Sequence, residues 1–257
     1  MGNLKIFQLD IIGIQNIPDV QKGDNISDII LLATKLQDTP ITKRDIIVVT
    51  QKIVSKSEGR IVLLNDVTPS VFAKSFAKSS GKDPRLIELI LMESRVIVRS
   101  DPDRGILIVE TEHGFVCANA GIDSSNIKAD MVTLLPKNPD LSAKKIRAEL
   151  EQKSGVSEIA VVISDTFGRP WREGQTNIAI GVDGMNPLMD YRGLYDTQGS
   201  MLTSTKIAVA DEIAAAAELV MGKIRSIPSA IVRGFDYSTE KCDHSSLIRK
   251  RSQDLFR

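Results

Sequence analysis

Ile159-Ala160-Val161-Val162-Ile163-Ser164-Asp165-Thr166-Phe167-Gly168-Arg169 begins as an apolar run and ends as a polar, glycine-containing segment. The apolar part reads as a buried strand. Asp165 then falls just past the strand's carboxyl end, which is where ligands of α/β folds usually sit. Two further runs have the same character. Ile46-Ile47-Val48-Val49 is short and rich in β-branched side chains, and Ala230-Ile231-Val232 follows the best helical pattern in the chain.

That helix is marked by Val209, Ile213, Ala216 and Val220 at helical spacing in an alanine-rich stretch, with Gly222 as its stop. A second helix is predicted over Ser142 to Lys153, with Ile146 and Leu150 on one face and Gly155 just beyond. Thr68-Pro69 opens another that Gly81 closes, and Asp83-Pro84 repeats the opening signal for a helix from Leu86 to about Ser94. Ile106–Val109 and Phe115–Ala118 form a hairpin across the polar turn Thr111-Glu112-His113-Gly114. Strands and helices alternate without a fixed repeat, which predicts an α+β fold with mixed α and β elements. The chain, residues 1–257, is expected to be one domain, with room for two subdomains. Gly168 to Gly199 lacks clean periodicity, and long irregular stretches inside domains are often functional.

Composition removes several function classes. Lys plus Arg and Asp plus Glu both total 33, so the overall field favours neither nucleic acid nor an anionic membrane. Aromatic residues are 4% of the chain, too few for base-stacking platforms. Cys117 and Cys242 are distant and belong to no CxxC pair, which points to a reducing cytoplasm. Met1-Gly2-Asn3-Leu4-Lys5-Ile6 carries no myristoylation signal, and no apolar run approaches the roughly 18 residues of a membrane span. A soluble, cytoplasmic protein is expected.

Asp165-Thr166 offers hard oxygen ligands for Mg2+ or Mn2+, and Gly168 lets backbone approach a phosphate. An ordinary strand-to-turn aspartate explains the same residues. Arg169 and Arg172, beside Trp171, could grip phosphate or carboxylate through their forked guanidinium groups, or could simply lie on a solvated loop. Asp123, in Asn119-Ala120-Gly121-Ile122-Asp123-Ser124-Ser125-Asn126, could join Asp165 around one ion, although Asp, Ser and Asn suit turns for local reasons alone. Lys52 and Lys56 follow the strand that ends at Val49 and could compensate a triphosphate; most such lysines are only solvated. There is no GxxxxGK[ST] and no GxGxxG after a strand, so any nucleotide site is of another kind. His113 and His244 are too far apart to suggest a metal pair, and no nucleophile elbow is present, which argues against covalent protein catalysis.

Taken together, Gly13-Ile14, Gln51-Lys52, Lys56-Ser57-Glu58-Gly59-Arg60, Asn119–Asp123 and Asp165–Arg169 resemble the coenzyme F420:L-glutamate ligase family. Arg172–Gln175, Ala210–Ala214 and Val232-Arg233-Gly234 extend the likeness, in the same order, over nearly the whole chain. The resemblance implies the two-part fold of the F420-0:gamma-glutamyl ligase type, an intertwined homodimer, GTP as co-substrate, and two Mg2+ or Mn2+ ions, with K+ as a further ion. By position it implies that Ile14, Gln15, Asn16, Ile17, Gln51, Lys52, Lys56, Asn126, Met221, Gly222 and Lys223 contact the nucleotide. Asp123 and Asp165 would hold one metal and Thr166 the second; Asp165, Arg169 and Arg172 would serve catalysis. Where some members have a metal-binding glutamate after the late helix, this chain has Lys223.

The reaction so implied phosphorylates a carboxylate of coenzyme F420-0 with the GTP γ-phosphoryl group, and the amine of L-glutamate then displaces phosphate from the acyl phosphate. One or more γ-linked glutamates could be added. Such chemistry needs positioning and charge neutralisation rather than a protein nucleophile. The residues fit two rivals as well: an amide ligase acting on another carboxylate, and a GTP- and metal-binding module without catalysis.

Overall fold

The computed structural model describes residues 7–125, 127, 129–240 and 242–256. The elements run β1 (Asp10–Gly13), α1 (Ile26–Leu36), β2 (Ile46–Thr50), α2 (Gln51–Ser57), β3 (Ile61–Leu63), α3 (Val71–Ser80) and α4 (Pro84–Met92). Then come β4 (Ser94–Asp101), β5 (Ile106–Thr111), β6 (Val116–Ala118), β7 (Met131–Thr133), α5 (Pro139–Ser154), β8 (Ala160–Arg169) and β9 (Arg172–Asp183). The chain closes with β10 (Met189–Asp190), β11 (Lys206–Ile207), α6 (Val209–Met221) and β12 (Ser229–Arg233).

The apolar runs build the centre of a five-stranded sheet ordered β1-β12-β2-β8-β9. β2 and β8 pair in parallel, and every other neighbouring pair is antiparallel. The period of two along each strand divides its side chains between two cores. Ile46, Val48, Ala160 and Val162 face α6, where Val209, Ile213, Ala217 and Met221 complete one cluster. Ile47, Val49, Val161 and Ile163 face the other way, onto Ile26 and Ile30 of α1 and Ile146 and Leu150 of α5. Helices therefore cover both faces, which explains strands that are apolar without alternation.

Residues between β3 and β7 form a smaller lobe with its own cores. Ala73, Phe76, Ile87, Ile90, Leu107 and Val109 make one, and Leu89, Val132 and Leu134 make another. Its three-stranded sheet is ordered β4-β5-β6, and β3 pairs with β7.

The glycine stops agree with the local signals, but α5 begins at Pro139, capped by Asn138, three residues before the expected Ser142. The Asp83 and Asn138 side chains accept hydrogen bonds from Arg85 N and Leu141 N at the starts of α4 and α5. Gly81 and Gly155 end α3 and α5 in the left-handed region, at φ 67° and 72°. α3 begins at Val71, capped by Ser70, rather than at Thr68-Pro69.

The stretch from Gly168 is not irregular throughout. β8 runs on to Arg169, and β9 returns over Arg172–Asp183 to make a long hairpin turned at Pro170-Trp171. Its outer half is exposed on both faces, so polar side chains satisfy it and the apolar alternation that marks a strand is missing there. Gly181, in the buried half of β9, lies so close to α5 that a Cβ would sit 2.5 Å from the Pro139 carbonyl carbon. Among the described residues no helix is long and apolar enough to cross a membrane.

Candidate active site

β2 ends at Thr50, whose register partner on β8 is Ser164. Immediately before Ser164 the β8–β9 register shifts at a bulge, and the two strands continue as a ribbon beyond the end of β2. Asp165 and Thr166 are therefore strand residues rather than turn residues, placed where the sheet loses a neighbour. Around this step lies a cavity of about 430 Å³ lined from five directions: the chain after β1, the start of α2, the Asp123–Ser125 turn, β8–β9, and α6 with the segment after it.

Asp123 reaches the cavity from the small lobe and Asp165 from the main sheet. Asp123 lies 2.6 Å from Lys52 Nζ and accepts hydrogen bonds from Ser125 N and Oγ at 2.6 and 3.1 Å. Burial works against the charge on Asp123, but Lys52 and Ser125 more than offset it and hold the carboxyl below its ordinary pKa. Among the described residues Asp165 has no comparable side-chain partner. Burial, with repulsion from Asp123 added, pushes its carboxyl up to about 7, although the Thr166 amide, Lys223 and Lys52 act in the opposite sense. Beside it the buried Ser164 hydroxyl has no hydrogen-bond partner among the described residues. A buried hydroxyl and a half-buried carboxylate left this way are suited to a hard cation or a phosphate oxygen.

Lys52 donates to Ser125 O and Oγ at 2.8 and 2.6 Å, and Lys56 forms an ion pair with Asp19 at 2.6 Å. Gln51 is buried and accepts from Ser55 Oγ at 2.8 Å. Ile17, Gly222 and Lys223 line the cavity. Ile14 and Met221 do not: both are fully buried in the cores beneath, so their side chains set the position of the neighbouring backbone. Gln15 and Asn16 are exposed outside the lining; the Gln15 amide is held by Gln37 Oε1 at 2.8 Å and Asn16 has φ 60°. Asn126 lies outside the described residues. Arg169 and Arg172 pair across the tip of the hairpin, exposed and away from the cavity, with Arg169 donating to Glu173 O at 2.9 Å.

Three lining residues escape a pattern-based search: Ser164, Asn177 and Glu218. Asn177, only 2% exposed, accepts from Thr166 Oγ1 at 2.7 Å and donates to Glu218 Oε2 at 2.9 Å. A lone asparagine in the apolar half of β9 and a glutamate on an alanine-rich helix were the available signals.

The oxygen donors of Asp123 and Asp165 fit one divalent ion. The Lys223 ammonium donates to Thr166 Oγ1, so a second ion on Thr166 would meet a like charge at close range. Among the described residues no group of three or more His, Cys, Asp and Glu side chains is gathered to hold a metal.

A mixed sheet whose parallel pair ends in a cavity lined by carboxylates and lysines is the setting of a small-molecule site. The sequence model of the F420-0:Gamma-glutamyl ligase family matches residues 14–234. The coenzyme F420:L-glutamate ligase of Methanothermobacter thermautotrophicus is 44% identical over 252 residues, covering 97% of this chain and 99% of its own. The enzyme of the same name from Methanopyrus kandleri is 38% identical with both chains fully covered, and that of Methanosarcina mazei is 41% identical over 91% of this chain and 89% of its own. The chain belongs to the F420-0:gamma-glutamyl ligase family.

Proposed function

We propose that this protein joins L-glutamate to coenzyme F420-0 at the expense of GTP, through an acyl phosphate, and works as a homodimer. The observation that carries the reading is the meeting of Lys52, Asp123, Asp165 and Thr166 around one cavity, in a chain spanning the full length of relatives bearing that activity's name.

A carboxylate oxygen of the acceptor attacks the γ-phosphorus and the bond to the β-phosphate oxygen breaks, releasing GDP. The glutamate amine then attacks the acyl carbon, the acyl C–O bond breaks, and inorganic phosphate leaves with the amine's proton lost to solvent. Lys52 and Lys56 lie where they can bind phosphate oxygens by exchanging their present carboxylate partners for the nucleotide. Ser164 Oγ is free to donate to an anionic oxygen. When bound, a divalent ion on Asp123 and Asp165 would neutralise charge on the phosphates. Arg169 and Arg172, out at the hairpin tip, are placed to clamp a carboxylate only of a substrate that extends beyond the cavity. Leu219 and Ile224, 74% and 95% exposed beside the cavity, leave apolar surface for a second copy.

The test is incubation with F420-0, GTP, Mn2+ and L-glutamate, followed by mass spectrometry and GDP quantification. A glutamyl adduct formed with one GDP per amide bond is expected. GTP turnover with a different carboxylate or amino acid from a panel, and none with F420-0 and glutamate, would reassign the substrate.

A further inference from the structure

Thr166 Oγ1 gives its proton to Asn177 Oδ1 at 2.7 Å, and one of its two lone pairs receives the Lys223 ammonium. Asn177 is fixed in turn by Glu218, whose Oε2 accepts from Asn177 Nδ2 at 2.9 Å. The remaining carboxylate oxygen, Glu218 Oε1, stands 3.8 Å from Lys223 Nζ and closes the ring. Thr166 and Asn177 come from the two strands of the ribbon, Glu218 from the last turn of α6, and Lys223 from the segment just after it. Gly222, at φ 59° and ψ 175°, makes the turn that brings Lys223 back over the cavity.

Three physical points follow. A divalent ion on the free lone pair of Thr166 would share the oxygen with the ammonium and meet a like charge at contact range. Glu218 supplies the one negative charge of the ring, and the lysine balances it without any ion. An ammonium has three donors, of which the ring uses one in a hydrogen bond and a second in a loose ion pair, leaving capacity for an anionic oxygen. The Lys223 side chain is 64% exposed, so it can follow a ligand without desolvation of a buried charge.

We propose that Lys223 is the second cation of this site. Its ammonium, held by Thr166 and Glu218, occupies the place of a second divalent ion and binds the terminal phosphate of the nucleotide directly. This rests on the GTP-dependent reading above. The enzyme then takes one divalent ion per chain, and Glu218 acts as a positioning residue that aims the lysine.

The experiment is Mn2+ titration of the full chain with the non-hydrolysable β,γ-imido analogue of GTP, counting bound ions by the electron paramagnetic resonance of free Mn2+ and measuring analogue affinity in parallel. Wild type is expected to bind one Mn2+ per chain. Lys223→Glu should bind two, and Lys223→Met should bind one while losing at least tenfold in analogue affinity; thermal melts verify that both fold. Two ions per chain in wild type, an unchanged count in Lys223→Glu, or undiminished affinity in Lys223→Met overturns the assignment. Absence of analogue binding to wild type at any Mn2+ concentration would instead defeat the GTP reading, and this inference with it.

Discussion

Replacing Asp165 with asparagine should make the metal-free protein more stable while ending its activity. In the folded chain the Asp165 carboxyl is raised from 3.8 to about 7 by burial and by Asp123. For an acid the sign is unfavourable to folding. Below pH 4 the carboxyl is protonated in both states and contributes nothing. Between there and about 7 the unfolded chain ionises and the folded one does not, so a penalty grows with pH and is complete above it. Three units at about 1.4 kcal/mol each set an upper bound of about 4 kcal/mol. Asp165 is half-buried at a cavity wall, and solvent screening brings the expected penalty to about 2 kcal/mol. Asparagine keeps the shape and removes the charge. At about 2–4 °C per kcal/mol for a chain of this size, Asp165→Asn should melt about 6 °C above wild type at pH 8 in chelator and at nearly the same temperature at pH 4. Adding Mn2+ should raise the wild-type melting temperature and leave the variant's unchanged, since the ion stabilises only the form that binds it. Differential scanning fluorimetry at the two pH values, with and without Mn2+, reads all of this. A variant that melts at or below wild type at pH 8 would show that Asp165 is already compensated and would refute the reasoning.

Lys52→Met removes the cation shared by Asp123 and the Ser125 carbonyl, and should raise the KM for GTP at least tenfold in steady-state assays. Gly181→Ala places a methyl group against backbone at the start of α5, which cannot move aside as a side chain could; a loss of about 2–4 kcal/mol in urea denaturation is expected. For His244, burial works against the charge, but the Asp140 carboxylate more than offsets it and raises the pKa. That contribution is present below about pH 6.5 and fades as pH rises through the raised value, so the urea midpoint gap between wild type and His244→Gln should be larger at pH 5.5 than at pH 9.

The parts of the fold legible in the sequence are those where one local signal suffices. β2, β8 and β12 are apolar because helices cover both sheet faces, and α4, α5 and α6 carry caps or stops that their residues announce. The outer half of β9 was not legible, because a solvated ribbon satisfies its strands with polar side chains. β4, exposed at alternate positions on the small lobe, was hidden beyond the expected end of α4, whereas α1, capped by Asn25 with Ile26, Ile30 and Ala33 at helical spacing, was legible and was missed. In the site, Asp123 and Asp165 could be named as residues, but only the tertiary fold puts a small-lobe turn beside the end of β8. Asn177 and Glu218 were hidden for the same reason: they bond to each other across 41 residues of chain. Arg169 and Arg172 look close to Asp165 in sequence, yet about 3.3 Å of rise per strand residue carries them out to the tip of the hairpin.

Asp165 belongs to the main sheet and Asp123 to a lobe with cores of its own, joined to the main core through Phe115 and Cys117. Anything gripped between the two carboxylates acts as a rivet across the seam, lending each half the rigidity of the other. An empty chain should accordingly exchange amide hydrogens of the β4–β6 region faster than those of β2 and β8, and a loaded one should bring the two rates together. A nucleotide and ion bound there would thus become structural elements of the folded chain while they reside in it.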